Sequence, residues 1–185
     1  MNTAVTSKDA IMQKCRKIVS EKGLSALNMR AVADECHIAL GTLYNYYSGK
    51  NELVIATVES VWKDIFHMND ECYTDLSFTD YVKYIFDCVQ MGAKKYPNFF
   101  NAHSLGIANA EKGKAKSAME HYFNHMKAGM VEVMRADNSV KENAFSSDFT
   151  EYDFADFVLG NILVLLAQNK NNCETLVTII RKVIY

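Results

Sequence analysis

Proline is nearly absent and glycine is scarce: Pro97 is the single proline, and only eight glycines occur in 185 residues. So few breakers, set among abundant Leu, Ala, Met, Lys and Glu, favour helices over strands. No Cys-x-x-Cys pair occurs among Cys15, Cys36, Cys72, Cys88 and Cys173. An odd number of scattered cysteines with apolar neighbours predicts reduced, buried thiols in a cytoplasmic protein. No secretory apolar segment follows Met1, and the most apolar run, Phe157 to Ala167, is too short to cross a bilayer. Gly-rich phosphate loops, nucleophile motifs and paired-carboxylate signatures are missing, so neither an enzyme nor a cofactor is expected. His121 and His125 stand four apart, but no third ligand follows at recognisable spacing, so no metal site is expected either.

Net charge is only −2, yet it is unevenly spread. Residues 1–50 hold seven Lys/Arg against four Asp/Glu, a balance of +3, and residues 51–185 hold thirteen against eighteen, a balance of −5. Screening confines a useful field to about 10 Å, so a basic head on an acidic body meets the local requirement for phosphate binding.

Hydrophobic spacing predicts a series of helices and no strand or repeat. The first starts after Thr6, whose hydroxyl would cap it, carries Ile11, Cys15, Ile18 and Val19 inward, and stops at Gly23. Short helices follow over Met29–Cys36 and Leu40–Tyr46, and a long one begins at Lys50. Further helices are expected at about 78–95, 98–109, 114–136, 151–168 and 173–184. The polar stretch 136–150 reads as a loop.

The chemistry lies in the segment from Gly23 to Leu53. Two short helices joined by a tight turn at 36–39, and braced by the helix before them, form a helix-turn-helix whose second helix suits a major groove. Leu43 and Tyr47, four apart, face inward. Ala39 and Leu40 open that helix, and Gly41, Thr42, Tyr44, Asn45 and Tyr46 remain for the nucleic-acid side. Gly41 permits close backbone approach, Thr42 offers a hydroxyl and a methyl to base edges, and Lys50 adds charge beside free amides.

Val32-Ala33, Ile38, Gly41-Thr42-Leu43-Tyr44, Tyr46-Tyr47, Lys50 and Leu53 fall at the spacings of a family signature, and the chain here resembles the TetR transcriptional regulators. The resemblance covers about residues 8–55. It implies an all-α protein: a three-helix helix-turn-helix domain over 1–50, then a helical ligand-binding and dimerisation domain over 51–185. It also implies that Thr42 and Tyr44 meet bases or adjoining backbone and that Tyr46 and Lys50 meet phosphates. Asn28 and Arg30 support from the preceding helix. Three positions depart from the signature: His37 stands at the usual turn glycine, Ala39 at the usual serine, and Gly49 at a frequent serine.

In the body, the helix from Phe154 to Leu166 is apolar nearly all round and must be covered on two sides. The last helix supplies one cover and a second copy of the chain the other, with Phe154, Phe157, Val158, Ile162, Leu165, Leu176 and Ile180 as the expected dimer face. Large aromatics with adaptable methionine suit an apolar or aromatic effector, for which Trp62, Phe66, Phe99, Phe100, His103, Tyr122 and Met126 are the candidates. The expected function is a homodimeric repressor released from a double-stranded DNA operator by a small molecule. The alternative is an activator or co-regulator whose C-terminal domain binds a partner protein.

Overall fold

The computed structural model describes residues 6–66, 76–99 and 113–185, with side chains in the last stretch described from Glu120 onward. Every named element among them is helical: α1 (Lys8–Lys22), a short 3-10 turn (Leu24–Ala26), α2 (Met29–Glu35), α3 (Leu40–Tyr44), α4 (Lys50–Phe66), α5 (Phe78–Lys95), α6 (Gly113–Ala136), α7 (Glu151–Ala167) and α8 (Glu174–Ile184). Residues 97–99 are helical as well; most of the helix expected at 98–109 lies outside the described residues, as does Cys72. The described cysteines are free thiols, as their scatter predicts.

The chain forms two compact units, one of residues 1–65 and 92–120, the other of residues 66–91 and 121–185. In the first, α1 is capped by Ser7, not Thr6: the Ser7 hydroxyl accepts from the Ala10 amide at 3.1 Å. Thr6 instead offers its carbonyl to the Tyr46 hydroxyl at 2.6 Å. The expected stripe of Ile11, Cys15, Ile18 and Val19 is buried, and α1 ends at Gly23 with φ 80°.

The first unit is tied together at Asp64. Its carboxylate meets Lys95 Nζ at 2.6 Å and Arg16 Nε at 3.9 Å, and accepts from the Tyr96 hydroxyl at 2.7 Å. One side chain of α4 thus holds α1 and the C-terminal end of α5 with the residue after it. Burial raises the Asp64 pKa, but the Lys95 and Tyr96 contacts outweigh it and hold the group below its ordinary value of 3.8. A depressed folded pKa adds stability above that range and loses it as pH falls through it. Asp64→Asn keeps the Tyr96 acceptor and discards both ion pairs. It should cost about 1–2 kcal/mol at pH 7, a Tm loss of about 2–8 °C. The gap to wild type should close in thermal melts below pH 3.8; a pH-independent gap would mean that the charge contributes nothing.

In the second unit α7 starts with a reciprocal capping box: the Thr150 hydroxyl accepts from the Asp153 amide, and Asp153 Oδ2 accepts from the Thr150 amide at 2.9 Å. It ends in a Schellman motif, with Lys170 N–H bonded to Leu165 O, Asn169 N–H to Leu166 O, and Asn169 at φ 55°. Asp137 gathers the other ends, accepting from the Phe78 amide at the start of α5, from the Ser139 amide and from the Tyr185 hydroxyl. Phe78, Phe154 and Ile180 form part of its core.

Candidate nucleic-acid interface

The helix-turn-helix is built as its pattern requires. α1 packs on α2 and α2 on α3. Asn28 caps α2, its Oδ1 accepting from the Ala31 amide at 3.0 Å while its Nδ2 donates to Ala26 O at 3.2 Å. Both polar ends of Asn28 are therefore used in shaping α2, which bears on its assignment as a supporting DNA contact. Lys17 and Lys14 reach Glu35 at 3.0 and 3.8 Å and pin α1 to α2; the Lys17 hydrogen bond holds the Glu35 carboxyl below its usual range.

Between α2 and α3 the chain turns through another Schellman motif. Ile38 N–H bonds Ala33 O at 3.0 Å and His37 N–H bonds Asp34 O at 3.1 Å, with His37 at φ 54°. This is the left-handed position at which glycine is favoured. α3 then starts at Ala39, which supplies no side-chain cap. Its helical turns end at Tyr44, two residues earlier than the spacing suggests, with Asn45 as the C-cap and Tyr46 N–H bonded to Leu43 O at 3.0 Å.

Leu43 and Tyr47 are 0% and 4% exposed, so the segment stands on them. The opposite side is open. Tyr44 is 50% exposed, and a Cβ at Gly41 would meet no atom within 4 Å. Ala39, Asn45, Arg30 and Lys50 are exposed, and Leu40, Thr42 and Tyr46 are half-buried. Arg30 and Lys50 make no ion pair among the described residues. Tyr46 differs from expectation in one respect: its hydroxyl proton is committed to Thr6 O, so a phosphate contact through it needs that bond exchanged. Ahead of α4, Ser48 donates its amide and its hydroxyl to Glu52 Oε2, both at 2.7 Å, fixing the turn that presents Lys50. Those bonds hold the Glu52 carboxyl below its usual range.

The effector candidates fall in both units. Trp62 and Phe99 meet edge to face in the first, with ring centres 5.9 Å apart. Phe66, Tyr122 and Met126 lie in the second, and all five are at most 7% exposed. Phe100 and His103 lie outside the described residues. His121 and His125 are exposed, and the described residues contain no cluster of three or more metal-ligating groups.

Of the expected dimer face, Phe154, Val158, Ile162, Leu176 and Ile180 are at most 3% exposed within their own chain. They are core and leave no surface to share. A helix apolar all round presents two faces, and the sequence does not say which one its own unit covers. Leu165 is half-buried and Phe157 is 48% exposed. The outward positions are Phe157, Gly160 and Val164 on α7, and Ile179 and Val183 on α8.

These features define a helix-turn-helix protein with a helical second unit. Residues 11–57 match the family described as bacterial regulatory proteins, tetR family. Through this N-terminal segment the chain resembles that family. The HTH-type transcriptional repressor KstR of Mycobacterium tuberculosis is 40% identical over 48 residues, 26% of this chain and 22% of that repressor's length. Among solved structures, the TetR regulator SCO7222 of Streptomyces coelicolor superposes with a TM-score of 0.61 at 19% identity, over 94% of this chain and 76% of its own. FadR of Bacillus subtilis, solved in complex with stearoyl-CoA, gives a TM-score of 0.61 at 16% identity, over 96% of this chain and 95% of its own. At these identities the two structures share the fold.

Proposed function

We propose that the chain is a DNA-binding transcriptional repressor that acts as a homodimer in the cytoplasm and leaves its operator when a small molecule binds the helical body, without catalysis. The observation that carries the reading is the outward side of α3: half-exposed Tyr44 beside the open Gly41, standing on buried Leu43 and Tyr47. That arrangement lets a short helix lie along base edges while its backbone approaches closely. Asn28, Arg30, Ala39, Leu40, Gly41, Thr42, Tyr44, Asn45, Tyr46 and Lys50 make up the proposed DNA surface, within a head of residues 1–50. No described helix is long and apolar enough to span a membrane.

The effector proposed is apolar, because the described candidates Trp62, Phe66, Phe99, Tyr122 and Met126 are all buried aromatic or thioether side chains. The fold shared with a FadR holding stearoyl-CoA makes a long-chain acyl thioester the first ligand to test. An effector acts only through its differential affinity for two states of the body, so it must shift operator affinity and melting temperature together.

The test of the head is selection of binding duplexes from a randomised pool by the wild-type chain. Lys50→Ala should then weaken every duplex, selected or scrambled, and lower the slope of log K against log salt by about 0.9 per half-site. Tyr44→Ala should weaken the selected duplex more than the scrambled one. Recovery of no duplex from the pool overturns the reading.

A further inference from the structure

The turn between α2 and α3 holds a residue other than glycine in the left-handed backbone region, at some steric cost. His37 holds φ 54° at the position of the Schellman motif where glycine carries no steric penalty, and its side chain is exposed. No hydrogen bond or ion pair to its imidazole is found among the described residues. From Glu35 to Gly41 the remaining side chains offer little to a phosphate. Glu35 is an acceptor held by Lys17, Cys36 is a half-buried weak donor, Ile38, Ala39 and Leu40 are apolar, and Gly41 has none. The turn leading into α3 thus carries one strong side-chain donor, at the residue where the backbone would favour glycine. Observed strain is a warrant for seeking function at the strained residue.

We propose that His37 contacts DNA, its imidazole N–H donating to a backbone phosphate of the duplex that α3 enters. This rests on the DNA-binding reading above. A phosphate contact positions the chain without reading sequence, so its loss weakens selected and scrambled duplexes alike.

Two variants separate this contact from a tolerated turn residue. His37→Gly removes both the strain and the imidazole; Tm should rise by about 2–4 °C while Kd for the selected duplex rises about tenfold. His37→Ala removes the imidazole but retains a Cβ, so Tm should stay near wild type while Kd rises by the same factor. Fluorescence anisotropy with the duplex selected by the wild type, at fixed salt, reads both. A glycine variant that binds as tightly as wild type sinks the proposal, and so does an alanine variant of unchanged affinity, which would trace the glycine effect to turn flexibility. A fall in Tm for His37→Gly would remove the strain on which the argument stands. If the wild-type chain selects no duplex, the DNA-binding reading itself fails, an outcome distinct from wild type and both variants binding equally.

Discussion

Gly92→Val should destabilise the first unit by more than about 3 kcal/mol and lower Tm by about 6–12 °C. A Cβ built at Gly92 would sit 2.7 Å from Ile65 Cγ1, 2.8 Å from Cδ1 and 3.0 Å from Cγ2. Only Cδ1 can move by rotation about χ2 alone. Cγ1 and Cγ2 are bonded directly to the Cβ of a residue near the end of α4, so they move only if χ1 turns or the backbone shifts. Ile65 is 4% exposed. Replacing a mid-helix glycine by alanine ordinarily gains about 1 kcal/mol of helix propensity, which would partly mask the clash in Gly92→Ala. Valine gains less from propensity and adds two more carbons, so the steric cost decides. Ile65→Ala alone should cost about 2–5 kcal/mol for its cavity. In the double variant each change relieves the other, and the pair should be at least about 2 kcal/mol more stable than the sum of the singles. Urea unfolding of the four proteins measures this; strict additivity would show that Gly92 is not where α5 crosses α4.

That crossing shows where sequence reading stops. The helices, the inward Leu43 and Tyr47, and the stop at Gly23 follow from spacing and local chemistry, and both lie within a few residues of where they act. The αL turn at His37 was legible only through the family resemblance, whose signature has a glycine at that position. Local competition already limits the reading at the first cap: Thr6 and Ser7 both carry a hydroxyl, and the Tyr46 bond to Thr6 O, forty residues away, has no sequence signature. Asp64 is harder still, since its partners Arg16 and the Lys95-Tyr96 pair lie about 48 and 31 residues from it in opposite directions and nothing in their spacing brings them together. Gly92 is unreadable for the same reason, because a glycine inside a helical pattern looks like a local weakness until the helix it touches is known. In α7, periodicity identified an apolar cylinder but gave no means to tell the buried side from the open one.

The open side of α7 carries the other large expected effect, on assembly. Phe157, Gly160 and Val164 follow one another at helical spacing, and Phe157 and Val164 are 48% and 53% exposed. On α8, Ile179 and Val183 are 42% and 40% exposed at a spacing of four. A twofold dimer built on these positions places every substitution in the interface twice, so a single change counts double. Val164→Glu should then bury two carboxylates without partners, at several kcal/mol each, and raise the dimer Kd at least about 1,000-fold. Gly160→Leu gives an independent reading. A Cβ there meets no described atom of its own chain within 4 Å, and the substitution gains helix propensity. Loss of the dimer in Gly160→Leu with an unchanged far-UV spectrum and an unchanged stability of the monomer to urea assigns the effect to the partner. Because one monomer engages one half-site, the affinity for a two-half-site duplex should fall by about 100-fold or more in both variants. Sedimentation equilibrium at micromolar concentration decides the matter. A wild-type chain that sediments as a monomer rejects the dimer and gives the apolar stripe to a partner protein, and variants that stay dimeric place the interface elsewhere.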